Sequence, residues 1–387
     1  MDNITHSLIG IVAAEAAPGT RKKERVPLWI ASALANNLPD LDIFFTAGRR
    51  GDKLDYLLHH RGHTHTILLA PLQSALLLAV LWFSWRRRSG ISWKSVAALT
   101  FLGPLLHLFA DSWNSYGVHP FWPFDNRWYY GDIVFIVEPW LWVIFLPLVW
   151  KSAESKTGKG LALFLLAGIL GVAWWHQAVA TAVAAALSVA AVLWLAAQAR
   201  LVDRVRLGLA FAGCALLFGI FSWAELGLRK SFAGDGVEVA MTPGPGNPFC
   251  WTVLTAGFQG ESYRASAWKA SALPSLVNAS SCVPLISLEG NAELIAVSPT
   301  ESNPAREPIG EFHGTRREFN ELTRLCRGRA FLRFARIPFW KKSKQDWLLG
   351  DLRFDRDRTH GFAEIIVPSA DGNCPHGEPP WIGRFFP

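Results

Sequence analysis

The chain has 387 residues, of which 51% are hydrophobic and only 18% charged, with 19 Trp. Soluble domains carry ~25% charged residues, so a wholly soluble protein is excluded and a membrane protein with a soluble portion is indicated. The formal charge of +7 invites a nucleic-acid reading. However, the basic clusters alternate with long apolar runs and no basic arm carries stacking aromatics. Nucleic acid is therefore excluded as a partner, and the charge is assigned to loops between transmembrane helices.

Residues 4–17 form a short apolar run with His6 near its start. Asp2 stands where a signal peptide would be basic, and His6 and Glu15 interrupt the run, so no signal peptide is read here. A second run, 27–45, contains N-L-P-D-L-D, with Asp40 and Asp42 expected at the interface or inside the bundle because carboxylates face lipid at high cost. Next comes L-L-H-H-R-G-H-T-H-T at 57–66, where His59, His60, His63, His65 and Arg61 crowd together and Gly62 allows a sharp turn. Runs at 67–85 and 96–113 follow, the latter with His107 and Asp111 one helical turn apart and so on one face. An irregular loop, 114–132, precedes further apolar runs at 133–150, 160–175, 178–197 and 207–228. Each approaches the ~20 residues a bilayer requires, except the first, which is short. The expected fold is an α-helical polytopic membrane domain of about eight apolar helices, some re-entrant, over 1–228.

From 229 to 387 the apolar runs shorten and alternate with polar residues, including A-F-L-R-F-A-R-I at 330–337 and F-A-E-I-I-V at 362–367. Pro, Gly, Asn and Ser clusters separate them, which reads as a β-rich soluble domain. Basic clusters at 21–25, 86–88, 151–159 and 200–206 place those loops in the cytoplasm by the positive-inside bias. The histidine loop, the 114–132 loop and the C-terminal domain then lie outside, although Arg49, Arg50, Lys53 and Arg61 in the histidine loop run against that assignment. Cys214 falls in an apolar run. Cys250, Cys282, Cys326 and Cys374 all fall in the C-terminal domain, an even number that predicts two disulfides with three possible connectivities.

On this topology His6, Asp40, Asp42, the histidine loop, His107 and Asp111 all converge on one membrane surface. Imidazole and carboxylate are the usual ligands of zinc and similar divalent ions. Within the loop, His60 and His65 are the preferred ligand pair, with His59 and His63 left to supporting or solvated positions. Arg61 beside them suits an oxyanion or phosphate clamp. His119, Asp125, Asp132 and Glu138 are weaker candidates, and His176, His313, His360 and His376 are isolated. No P-loop, G-x-S-x-G or dinucleotide fingerprint is present.

The segments M-D-N-I-T-H-S-L-I-G, N-L-P-D-L-D, H-H-R-G-H-T-H-T, L-L-H-L-F-A-D-S-W-N-S-Y-G and W-P-F-D-N-R-W-Y-Y-G-D resemble the bacterial membrane-bound metal-dependent hydrolases related to the YdjM inner-membrane protein. The resemblance covers roughly residues 1–150 and extends distantly to the zinc-dependent phospholipase C and nuclease superfamily. It implies His6, Asp40, Asp42, His60, His65, His107 and Asp111 as ligands, while Asn114 and Asp132 match without a role. His63 stands where the family usually has an apolar residue, and Thr66 where Ser is commoner; neither change removes a ligand. The C-terminal part, including D-L-R-F at 351–354, looks like the extension of longer members.

The resulting expectation is a multi-pass protein of the bacterial inner membrane with its site and C-terminal domain on the periplasmic side. It would hold two divalent ions, zinc foremost, and cleave a phosphoester or related ester of a lipid or lipid-linked substrate. Asp42 or Asp40 would orient or deprotonate water, and Arg61 would hold the anionic group. The protein partner of the C-terminal domain is left open. Two alternatives stand beside this: a non-catalytic protein with a structural metal site and a C-terminal binding module, and an ion-coupled transporter.

Overall fold

The computed structural model describes residues 1–17, 22–47, 53–88, 90–176, 179–290, 292–298, 303–356, 361–369 and 380–381. Arg21, Arg49, Arg50, His360, Cys374 and His376 lie outside the described residues.

Asp2 starts helix α1 (Asn3–Ala16) by accepting from the amides of Ile4 and Thr5 at 3.0 and 2.9 Å, which satisfies donors a helix start otherwise leaves open. Helix α2 (Lys22–Asn37) packs back along α1. The approach is so close that a Cβ on Gly10 would stand 2.6 Å from the Ser32 carbonyl oxygen. A 3-10 turn (Pro39–Leu41) and two short helices, α3 (Asp42–Ala47) and α4 (Lys53–His59), lead to a second 3-10 turn (His63–His65). Then come α5 (Ala70–Trp85), α6 (Trp93–Asp111), α7 (Pro139–Ser152), α8 (Lys156–Trp175), α9 (Thr181–Gln198) and α10 (Asp203–Phe232).

The expected eight crossing helices are not what forms. Among the described residues, α6, α8, α9 and α10 are long and apolar enough to cross a membrane. The segment 53–65 with α5, bent by 78°, makes a fifth if the two count as one span. Helices α1 and α7 have 14 residues and α2 has 16, so at ~1.5 Å per residue they fall short of ~30 Å of hydrocarbon. The apolar residues Leu8 and Val12 of α1 and Leu141 and Leu146 of α7 are buried in one core with Leu166 and Leu217, whereas α2 exposes Val26, Ile30 and Leu34. Hydropathy alone does not separate a helix that faces lipid from one that faces protein. The long helices do face outward, with Trp175, Phe164 and Leu193 exposed.

Five antiparallel strands follow, β1 (Glu238–Gly244), β2 (Asn247–Gln259), β3 (Ser262–Ser271), β4 (Ile295–Ala296) and β5 (Arg306–Thr315), in the order β1-β2-β3-β5-β4. Two helices, α11 (Arg316–Arg324) and α12 (Cys326–Phe334), lead to a second antiparallel sheet of β6 (Pro338–Lys342), β7 (Asp346–Asp351) and β8 (Glu364–Pro368). The run at 330–337, expected as a strand, is mostly α12. Its buried residues Ala330, Phe331 and Phe334 recur at three- and four-residue spacing, which suits a helix face and not the alternation of a strand. Cys250 and Cys282 form a disulfide, and Cys326 is also disulfide-bonded.

The two parts share their cores. Leu54, Leu57 and Leu58 of α4 are buried with Phe331, Trp347 and Trp381 of the C-terminal part. Val239, Met241 and Trp251 join the core of the helices. Between them lies a buried ionic lock. Asp132 accepts from Arg229 at 2.7 Å and from Arg336 at 2.8 Å, and Arg336 also donates to Glu238 at 2.6 Å.

Candidate metal centre

Helix α6 supplies His107 and Asp111, and its placement follows from Gly103. A Cβ there would stand 2.4 Å from that of Ala35, so only glycine lets α6 close on α2. The contact brings His107 Nδ1 within 2.6 Å of the Asn36 carbonyl. That oxygen can only accept, so Nδ1 carries the proton and the Nε2 lone pair points away, toward His65. His65 arrives on the 3-10 turn after Arg61, whose φ of +59° turns the chain at the head of the loop. Asp40 and Asp42 arrive on the turn begun by Pro39.

Nε2 of His107 lies 3.1 Å from Nε2 of His65. Asp40 Oδ1 is 3.3 Å from His65 Nε2 and 3.5 Å from His107 Nε2, and Asp111 Oδ2 is 3.5 and 3.4 Å from the same atoms. Ligands held about 2.0–2.1 Å from a tetrahedral zinc stand about 3.3 Å apart, so these five separations are those of an ion-binding tetrahedron. Asp111 Oδ2 is buried without a hydrogen-bond partner. Its other oxygen is engaged by Arg61 at 2.9 Å, by His6 at 3.2 Å and by the Met1 ammonium. The arrangement aims one carboxylate oxygen at the cluster and fixes the other from behind.

A second donor group shares Asp40 and adds Asp42 and His60. His60 Nδ1 contacts Asp42 Oδ1 at 3.0 Å, and Asp42 Oδ2 accepts from the Arg61 amide at 2.9 Å and the Thr64 hydroxyl at 3.0 Å. Burial pushes the Asp42 carboxyl up, but hydrogen bonds from His60 and His65 outweigh it and hold the group well below the usual carboxylate range. Asp42 is therefore an ionised organiser of the histidine loop and a weak base. Asp40 is no less committed: burial raises its pKa, but hydrogen bonds to His107 and His65 outweigh it and hold the carboxyl well below the usual range, while its other oxygen accepts from Asn3 at 3.1 Å.

Of the residues expected as ligands, Asp40, His65, His107 and Asp111 form one group and Asp40, Asp42 and His60 another. His6 belongs to neither; it stacks on His107 at 3.8 Å and steadies Asp111. Arg61 is buried, with its guanidinium 3.1 Å from the Gly117 carbonyl as well as on Asp111, and over the Tyr116 ring at 4.5 Å. That environment makes it a holder of Asp111 more than a free anion clamp. His63 is exposed between Trp122 and Trp381, and His119 is buried against Trp381 at 4.0 Å, both apart from the two groups. Asp125 pairs with Arg127, Glu138 caps α7, and Asp132 belongs to the ionic lock. Asn114 accepts from the Tyr116 amide at 2.9 Å and shapes the loop over Arg61.

Residues that the sequence alone did not single out complete the surroundings. A cavity of about 640 Å³ opens beside Asp40, His60 and Arg61, and its far wall is built by the C-terminal domain, including Leu254, Ile286, Phe354 and Arg356. Trp381, near the far end of the chain, donates to the Leu58 carbonyl at 3.1 Å and so pins the helix that precedes the histidine loop.

Helices long enough for a membrane, joined to a β-rich part around a buried His/Asp cluster, define a membrane protein with a candidate metal site. The YdjM inner membrane protein family matches residues 1–199, and the chain belongs to that family. It is also similar to the uncharacterized protein YfhP of Bacillus subtilis (strain 168), 25% identical over 173 residues, which are 43% of this chain and 51% of that protein. The chain thus matches about half the length of that curated relative. No solved structure matches it.

Proposed function

We propose that this chain is a membrane-bound metal-dependent hydrolase that cleaves a phosphoester or related ester of a lipid or lipid-linked molecule at the periplasmic face of the inner membrane. The observation that carries the reading is the pair of donor groups joined through Asp40, one enclosed and the other bordering the cavity through Asp40 and His60. Two neighbouring divalent ions, zinc by the mixture of imidazole and carboxylate, suit such a pair. Bound there, such ions would lower the pKa of a water and neutralise charge developing on phosphoryl oxygens.

The chain's own residues do the rest. His107 and His65 present lone pairs because hydrogen bonds at their other ring nitrogens fix the tautomers. Asp40 stands between the two groups and borders the cavity, so it is the carboxylate placed to orient water. Arg61 and His6 keep Asp111 aimed. The site's neighbourhood of short helices and outward-facing long ones suits a substrate that stays in the bilayer while its head reaches the cavity.

Metal analysis of the purified full chain, with hydrolysis of bis-p-nitrophenyl phosphate, tests this. About two ions per chain are expected, with metal and activity lost together in His65→Ala and Asp111→Ala. Phosphodiesterase activity retained in both variants would refute the assignment. A closed structural site is the second reading, favoured by the complete burial of His65, His107 and Asp111. Bound metal at one ion per chain, with no hydrolysis at any metal loading, would select it.

A further inference from the structure

The cavity beside the donor groups has two chemically different walls. The helical half contributes the ligands. The C-terminal half contributes Leu254, Leu285, Ile286, Phe354 and Phe362, an apolar trough that meets Ile43 and Phe135 of the helical half. Three arginines border the same space, and they are not equivalent. Arg61 is held by Asp111. Arg353 is held by Asp351 at 2.7 Å and donates to the Ser115 carbonyl at 2.6 Å. Arg356 has no carboxylate partner among the described residues, and its guanidinium stands over the Phe135 ring at 5.6 Å. Its side chain is exposed and lines the cavity. A cation in that position gains from any anion brought into the cavity, and it costs nothing in broken ion pairs to supply one.

We infer that the C-terminal domain selects the substrate: Arg356 takes an anionic, phosphate-like group of an amphiphile whose apolar portion lies in the trough of Leu254, Leu285, Ile286, Phe354 and Phe362. This rests on reading the cavity as the substrate site of the hydrolase proposed above, and it adds the substrate class, an anionic amphiphile. Neither feature suffices alone. The trough without the charge would accept any lipid tail, and the charge without the trough would accept any small phosphate.

Three probes separate these cases: oleoyl lysophosphatidic acid, with chain and charge; monooleoylglycerol, with the chain alone; and glycerol 3-phosphate, with the charge alone. Binding is measured on the full chain in an uncharged detergent, both metal-loaded and chelator-treated. Lysophosphatidic acid is expected to bind more tightly than either partial probe in both preparations. Arg356→Ala should cut its affinity about 10- to 100-fold without changing that of monooleoylglycerol, and Arg356→Lys should restore part of the loss. Phe362→Ala, at a half-exposed site that folding tolerates, should weaken lysophosphatidic acid and leave glycerol 3-phosphate unchanged. Unchanged lysophosphatidic acid affinity in Arg356→Ala, or glycerol 3-phosphate binding as tightly as the lipid, would overturn the inference. The metal-loaded arm separates the two claims. An Arg356-dependent preference in a metal-loaded protein that hydrolyses no ester sinks the hydrolase reading alone, whereas metal-dependent hydrolysis indifferent to Arg356 sinks this one alone.

Discussion

Replacing Arg336 with Met tests whether the two halves of the cavity are locked together as the structure has them. Its guanidinium faces Asp132 at 2.8 Å, Glu238 at 2.6 Å and the Val239 carbonyl at 2.6 Å, and all three side chains are almost wholly buried. Methionine fills the stem's volume but withdraws the charge that both carboxylates face. Breaking a buried pair by removing one partner costs about 3–5 kcal/mol. For a domain of this size each kcal/mol shifts the melting temperature by about 2–4 °C, so a fall of about 6–20 °C is expected. Tryptophan fluorescence of the purified full chain follows the melt, since 19 Trp are spread over both parts. The double variant Arg336→Met with Asp132→Asn should lose about 1–3 kcal/mol less than the sum of the single losses. Metal content should stay unchanged, because every donor in the two groups lies in the first 111 residues. Strict additivity, or loss of metal together with the lock, would refute this account of how the two parts dock.

Arg61→Met should weaken metal affinity about 10- to 100-fold with every ligand still present, because Asp111 is no longer held from behind; unchanged affinity with a raised KM would instead return Arg61 to the substrate. Gly103→Ala should cost about 1–3 kcal/mol and lower metal stoichiometry, since its methyl would drive α6 from α2 and His107 from Asn36. Gly168→Ala, where a Cβ meets nothing within 4 Å, is the control expected to change neither. Cys250→Ser with Cys282→Ser opens a closure spanning 32 residues, which should cost about 3–4 kcal/mol, and reductant should lower the melting temperature of the wild type further than that of the variant, which keeps the Cys326 disulfide.

The donor chemistry was legible in the sequence because few side chains suit a divalent ion, and His107 and Asp111 stand at a spacing that puts them on one helix face. The division of labour among the donors was not. His6 and His65 look alike as letters, yet one ring faces the cluster and the other supports a carboxylate, a difference set by where α1 meets α6. Arg61 read as an anion clamp because a sequence does not show that Asp111 and the Gly117 carbonyl already occupy its guanidinium. The helix count failed for a related reason. Apolar residues buried in protein and apolar residues facing lipid are the same residues, and α1, α2 and α7 are too short to resolve the ambiguity by length. The far wall of the cavity was the least legible part. Leu254, Ile286, Phe354 and Trp381 carry no chemical label, and only their packing against α4 and the histidine loop makes them part of the site.

Charge balance ties the donor groups to the cavity. Asp40, Asp42 and Asp111 bring three carboxylates into a largely buried space, against which stand the Arg61 guanidinium, the Met1 ammonium and the His65 imidazole; burial lowers the His65 pKa, but hydrogen bonds to the three carboxylates outweigh it and raise it to about 10. Three positive charges thus balance three carboxylates without metal, and the proton on His65 is the one an ion would have to displace. A single divalent ion between Asp40, His65, His107 and Asp111 would displace that proton and add one net positive charge, so the floor of the cavity and its far wall would then attract the same group. The loaded site is the better fit for an anionic substrate. On that argument metal binding and substrate charge are two sides of one design, with Asp40 as the residue common to both.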